Sequence, residues 1–282
     1  MTLESTRELV AAAAAARSAV PAFNVITLEY AEAIVLGAER AQTPVLLQLS
    51  ENAVRYHGSL EPLLAACREI ALAASVPVAI HLDHVEDASL IDRVLGVAEE
   101  FGVGSIMVDA SRLEYEANVF ATADVATRAH EQGLWVEAEL GAIGGKDGAH
   151  APGVRTIPSE ACAFVSSTGV DGLAVAVGSS HAMRDRSASL DFDLIAELAS
   201  TVSVPLVLHG SSGVADADIR LAVKAGIRKV NIGTALNLSW TGAVRAWLAE
   251  HPDDVDPRKY FSSAREATAD VVTHLCEVVY AR

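Results

Sequence analysis

Short apolar runs that do not alternate with polar residues recur along this chain, each followed by a stretch of helical periodicity, and this repeat constrains the fold more than any other feature. The runs fall at residues 22–25, 45–49, 78–82, 105–108, 135–140, 173–177, 205–209 and 229–232. A strand that is apolar throughout is buried on both faces, as in a parallel sheet covered by helices. Helical stretches are predicted at 3–18, 28–41, 60–75, 88–101, 114–131, 160–169, 193–201 and 216–225, with another opening after Gly233. Pro21 and the Thr43-Pro44 break end the first two of them, and residues 50–58 read as a loop. Eight strand-helix units within residues 21–250 predict a closed (β/α)8 barrel. An open doubly wound sheet would more often place a glycine-rich nucleotide turn after its first strand, and none occurs here. The expected organisation is one domain over 1–282, with an N-terminal helix in 1–20, the barrel in 21–250 and a helical extension in 251–282. With 51% apolar residues the chain can bury a core of that size.

If the barrel is right, the reactive side chains fall on one rim. Asn24, Ser50, Asp83 with His84, Asp109, Glu137 with Glu139, Ser179 to His181, His209 to Ser212, and Asn231 to Thr234 all lie at or just past strand C-termini, the catalytic face of this fold. The run Val78-Ala79-Ile80-His81-Leu82-Asp83-His84 is the sharpest case. A carboxylate that could take a proton and an imidazole that could hold a metal close an otherwise apolar strand. One alternative is that both merely cap the helix beginning near Asp87. Two further strands also end in a histidine, however, and His84, His181 and His209 with an open fourth position make a catalytic zinc arrangement. His81, inside its strand, reads as core or as support for a ligand. His57, His130, His150, His251 and His274 lie in loops or on helices and read as surface residues.

The turns after the last two strands, Gly210-Ser211-Ser212-Gly213 and Asn231-Ile232-Gly233-Thr234, suit an anion. Backbone N–H groups at such turns, aided by a helix N-terminus, form the phosphate cradle that barrels place after strands seven and eight. The alternative is that these small residues only make tight turns. The whole chain is acidic, with 21 Lys plus Arg against 37 Asp plus Glu and a net charge of −16, so a nucleic acid is not an expected partner. Cys67, Cys162 and Cys276 fall in helical stretches without pairing by count, which fits a reducing cytoplasm. The alanine-rich start could imitate a signal peptide, but Glu4 and Glu8 precede it and Arg17 follows, so a helix is expected. No run is long enough for a membrane span.

Taken together, Ala22-Phe23-Asn24, Gln48-Leu49-Ser50, Tyr56-His57-Gly58, His81-Leu82-Asp83-His84, the segment from Val136 to Gly145, Gly178-Ser179-Ser180-His181, Val207-Leu208-His209-Gly210, the segment from Lys229 to Thr234 and Asp256-Pro257-Arg258-Lys259-Tyr260 resemble the class II zinc-dependent aldolases that cleave fructose and tagatose bisphosphates. These segments span nearly the whole chain, in order. The resemblance implies that zinc on His84, His181 and His209 binds the carbonyl and adjacent hydroxyl of a ketose phosphate, and that Asp83 removes the C4 hydroxyl proton. Cleavage between C3 and C4 then yields dihydroxyacetone phosphate, by way of its enediolate, and an aldehyde. It further implies that Asn231 holds the enediolate. Gly178, Gly210, Ser212, Gly233 and Thr234 would hold the phosphate, and Asn24 and Ser50 other parts of the substrate. Arg258 would bind its far end, across an interface of a homodimer or homotetramer. Asp109 and Glu139 resemble positions used for an alternate or second ion, or they orient the histidines. A monovalent cation is a further candidate cofactor.

Departures from the family pattern cluster in the substrate shell. The long loop 141–159, with five glycines and two prolines, reads as a lid. It has no glutamate after Gly144-Gly145, which leaves Asp147 and His150 as candidate proton donors. Past His181 the chain has Ala182-Met183-Arg184, where the family has glycine, an aromatic and a lysine, so Arg184 is the candidate phosphate ligand there. Ala235 and Asn237 replace an acid and a base. Two other readings stay open: a metal-dependent sugar-phosphate isomerase or epimerase, and a phosphosugar-binding relative without activity.

Overall fold

Each predicted strand takes its place beside the next one in the sequence. In the computed structural model, which describes residues 2–140, 154–180 and 185–280, the order is α1 (Thr6–Ala15), β1 (Val20–Asn24), α2 (Leu28–Ala41), β2 (Val45–Ser50), α3 (Glu51–His57), α4 (Glu61–Ala73), β3 (Val78–Val85) and α5 (Ala88–Phe101). There follow β4 (Val103–Val108), α6 (Tyr115–Glu131), β5 (Trp135–Glu139), α7 (Pro158–Thr168), β6 (Gly172–Ala174), α8 (Phe192–Thr201), β7 (Leu206–Leu208), α9 (Asp216–Ala225), β8 (Ile227–Ile232), α10 (Thr234–Glu250) and α11 (Pro257–Val279). The strands form a closed parallel barrel in the order β1 to β8, sealed where Val20 to Phe23 pair with Lys229 to Ile232. This is the (β/α)8 fold.

Alternation along the strands separates two apolar layers. Ile80, Leu82, Ile106, Val136 and Leu208 join the larger core beneath the helices, whereas Ala22, Leu46, Ala79, Met107, Trp135, Ala174 and Val207 form a second cluster with Leu9, Val10 and Ala13 of α1. The N-terminal helix therefore plugs the bottom of the barrel. Between that plug and the rim lies a layer of polar residues, Gln48, His81, Ser105, Glu137 and Lys229, all fully buried. At the other terminus, α11 buries Ala264, Thr268, Val272, Cys276 and Val279, a helical stripe that packs on α2. Asp256 caps it and Pro257 occupies its first turn.

Several sequence expectations need correction. Residues 50–58 are not a loop: the Ser50 hydroxyl accepts from the Ala53 N–H and caps α3, and an Arg55–Glu51 pair one turn apart supports it. Pro21 lies inside β1 rather than ahead of it, and β6 and β7 are each three residues long, shorter than their apolar runs. The Val175 N–H still donates to the Val207 carbonyl at 3.2 Å, but the strand pairing ends at Ala174, before the run of apolar residues ends. Asp83 and His84 do not cap α5. Asp87 does so, through N–H groups of Ser89 and Leu90. Among the described residues no helix is long and apolar enough to cross a membrane.

Candidate active site

A cleft of about 890 Å³ opens at the C-terminal ends of the strands. Asn24, Ser50, Asp83, His84, Asp109, Glu139, His209, Gly210, Ser212, Asn231, Gly233 and Thr234 all line it. These residues come from seven strands and the turns after them, which is why the sequence brings them together only through barrel closure. Predicted residues His181, Arg184, Asp147 and His150 lie outside the described residues. Gly178 follows β6 and packs against the carbonyl of Ser189 rather than lining the cleft, so close that an added Cβ would lie 2.1 Å from that oxygen. Arg258 lies in the first turn of α11, with its guanidinium on Asp256, and does not line the cleft of its own chain.

His84 reaches the cleft through an irregularity in its strand. The β3–β4 register shifts between Leu82 and Val85, and His84 takes a left-handed conformation with φ of 48°. A non-glycine residue held there carries backbone strain, commonly found where a side chain must be aimed. The aim is sharp: His84 Nε2 faces His209 Nδ1 at 3.0 Å. On the outer side of each ring a carboxylate takes the remaining nitrogen, Asp109 Oδ2 at 2.7 Å from His84 Nδ1 and Glu137 Oε1 at 2.9 Å from His209 Nε2. Carboxylates accept N–H bonds, so each outer nitrogen carries a proton, and the two inner nitrogens face each other across a space that one shared cation fills, a proton in the metal-free protein. Two nitrogens bound to one tetrahedral zinc at about 2.0 Å stand roughly 3.3 Å apart. The pair is thus spaced to share a cation, with the carboxylate-histidine supports that metal sites use.

The surrounding charge points the same way. Asp83 and His84 with His209, and His84 with Asp109 and Glu139, each bring their ligand atoms within 4.8 Å of one another. Burial works against a charged His84, but Asp83, Asp109 and Glu139 outweigh it and push its pKa up to about 10. The site therefore draws positive charge. Asp109 is held well below the usual carboxylate range: burial opposes ionisation, and the bonds from His84 and Ser111 overcome it. Asp83, 3% exposed, is shifted the other way, upward, chiefly by burial.

Two turns meet at the same rim. Gly210, with φ of 67°, approaches the Ser180 carbonyl so closely that an added Cβ would lie 2.5 Å from it. Only glycine fits there. Ser212 Oγ accepts from the Ala235 N–H, and Ser211 donates to the Asn231 carbonyl, so the short 3-10 turn Ser211–Gly213 is tied to the N-terminus of α10.

Sequence reasoning missed some of the lining. Arg55 and Arg112 enter the cleft from α3 and from the turn after β4, paired with Glu51 and Glu86. Arg55 lay in an unrecognised helix, and nothing in the sequence marks Arg112. Asn237 also lines the cleft and accepts a bond from the Tyr30 hydroxyl.

A (β/α)8 barrel with a carboxylate-supported histidine pair at its catalytic rim defines a barrel protein with a candidate metal site. The particular family follows from comparison: the sequence model of "Fructose-bisphosphate aldolase class-II" matches residues 4–282, and the chain belongs to that metal-dependent family of carbon-carbon lyases. Among solved structures it is similar to the YdjI aldolase from Escherichia coli K12, at 30% identity and a TM-score of 0.81, covering 98% of this chain and 97% of that one. A putative fructose-1,6-bisphosphate aldolase from Coccidioides immitis matches at 28% identity and 0.85, covering 97% and 95%. The fructose-bisphosphate aldolase of Campylobacter jejuni shares the fold at a TM-score of 0.85, with 23% identity over 98% and 95% of the two chains.

Proposed function

We propose that this aldolase is zinc-dependent and cleaves a ketose phosphate, with a phosphorylated three-carbon ketone as one product. The observation that carries the reading is the facing pair His84 Nε2 and His209 Nδ1 beside Asp83, above a turn that suits phosphate. His84, His209 and, from its place in the sequence, His181 would hold the ion. Neutral imidazoles suit this role because they leave a bound zinc a strong Lewis acid toward a carbonyl.

The chain's own groups supply the rest. Asp83 is the base: raised by burial yet flanked by His84, it takes the proton from the hydroxyl next to the breaking bond more readily than an exposed carboxylate. Asn231 Nδ2 lies 3.3 Å from Asp83 Oδ1 and presents a donor to the developing negative oxygen. Backbone N–H groups of the 210–213 turn and of the Gly233-Thr234 helix start hold the phosphate. Arg55 and Arg112 offer guanidinium donors to the aldehyde half. Asp147 or His150 returns a proton to carbon. A monovalent cation is a second candidate ion, and a dimer or tetramer would bring Arg258 of one subunit toward another.

Aldol cleavage screened over mono- and bisphosphorylated ketoses, with triose phosphate as readout, tests this directly. Zinc-loaded wild type should turn over, a chelator should abolish turnover, and His209→Ala should lose both metal and activity. Turnover that survives complete metal removal would refute the reading. Interconversion of intact sugars without triose phosphate would move the protein to the isomerases.

A further inference from the structure

The buried polar layer inside the barrel contains one ion pair that the proposed chemistry does not use. Lys229 Nζ lies 2.8 Å from Glu137 Oε2 and 2.7 Å from Asn231 Oδ1, and both charged side chains are fully buried. Alternation explains how they arrive there: residues 229 and 231 of β8, and 137 and 139 of β5, face the barrel axis at successive levels. Alternation does not explain why charges occupy the lower level. Taking two ions out of water is so unfavourable that an apolar pair of the same volume is often equally stable or more so. Packing alone therefore gives no reason for them.

Their contacts do. Each end of the pair grips a residue of the cleft. The second oxygen of Glu137 accepts from His209 Nε2 at 2.9 Å, which leaves Nδ1 as the nitrogen that faces His84. Lys229 is a donor only, so its bond to Asn231 forces the amide oxygen downward and turns the NH2 group up. That NH2 group lies 3.3 Å from Asp83 Oδ1 and 3.0 Å from the edge of the His209 ring. With its Nε2 proton directed at Glu137, His209 makes this last approach a contact rather than a second bond.

We propose that Lys229 and Glu137 are a positioning pair: Glu137 fixes the ring and tautomer of His209 toward the metal, and Lys229 fixes Glu137 and the Asn231 amide together. One buried pair thereby sets the metal side and the substrate side of the site in register. This rests on His209 being a metal ligand.

The test uses Glu137→Gln, Lys229→Met and the double variant, with zinc affinity by chelator competition, the visible spectrum of the cobalt-loaded protein, Tm and steady-state kinetics. Glu137→Gln should weaken zinc binding by about 10–100-fold and alter the cobalt bands. Lys229→Met leaves a lone buried carboxylate and should lower Tm. In the double variant both charges are gone, so Tm should recover while zinc affinity stays at least about tenfold weak and KM stays raised. A purely structural pair predicts otherwise: affinity and KM would return to wild type along with Tm, and that result overturns the proposal. His209→Ala separates the two levels. If it binds zinc as tightly as wild type, the ligand assignment fails and the positioning role with it. If it loses zinc while the double variant binds normally, only the positioning role fails.

Discussion

Asp83 carries two opposed pressures, and their balance decides its work. Burial favours the neutral acid, while His84 beside it favours the carboxylate, and the outcome is a raised pKa in a group that still has a donor amide within reach. Such a group is a better base than a freely solvated aspartate. Replacing it by alanine should lower kcat by about 10²–10⁴ while zinc content and Tm remain those of wild type, measured on metal-loaded protein. Near-normal turnover in that variant would remove Asp83 from the mechanism. His84 shows why residue identity is not the whole matter: its reach depends on a register shift and a left-handed backbone that no sequence pattern announces.

At the scale of elements, the barrel is held by contacts far from the cleft. Asp171, before β6, accepts from Arg7 of α1 at 2.7 Å, from His130 of α6 at 2.8 Å and from the backbone N–H of Val136 in β5 at 2.9 Å. It joins the plug to the barrel floor. Burial raises its pKa, but the Arg7, Val136 and His130 bonds prevail and lower it. A folded-state pKa below the unfolded value of about 3.9 means that the contribution is complete above that pH and is lost as pH falls through the folded value. Arg7 is half exposed, so its share is screened. Asp171→Ala should destabilise by about 2 kcal/mol in urea unfolding at pH 7, and the difference from wild type should shrink below about pH 4. Because the change lies at the barrel floor, kcat should not move. A large fall in kcat would show that α1 communicates with the rim.

For the whole molecule, a metal that joins β3 to β7 is also a cross-link of the fold. An ion bound only by the native state stabilises it in proportion to the logarithm of its concentration over Kd, about 4 kcal/mol at 1,000 times Kd. In a chain of this size that corresponds to a rise in Tm of roughly 8–15 °C. Thermal denaturation with and without chelator should show it, and His209→Ala should abolish the difference. An unchanged Tm on zinc removal would mean that the histidine pair does not hold the ion in solution. The net charge of −16 adds repulsion in the metal-free protein, since three carboxylates already crowd His84.

The sequence by itself determined the barrel and much of its rim. Eight apolar runs must be buried on both faces, closure of eight parallel strands follows, and any residue that ends such a run stands on the catalytic face. Asp83, His84, His209, Asn231 and the glycine turns were legible for that reason. Arg55 was not, because a seven-residue helix nucleated by Ser50 and Glu51 has too few turns to show periodicity. Nor were the partnerships. Glu137 and His209 are separated by 72 positions and Glu137 and Lys229 by 92, so no local spacing links them. Glu137 stood among the rim polar residues without a role, and Lys229 looked like a polar residue beginning a strand. Only barrel closure sets those side chains at one level of a shared interior, where a buried charge must find its partner. Local pattern could fix which residues face inward; which of them touch is decided by the curvature that brings distant strands together.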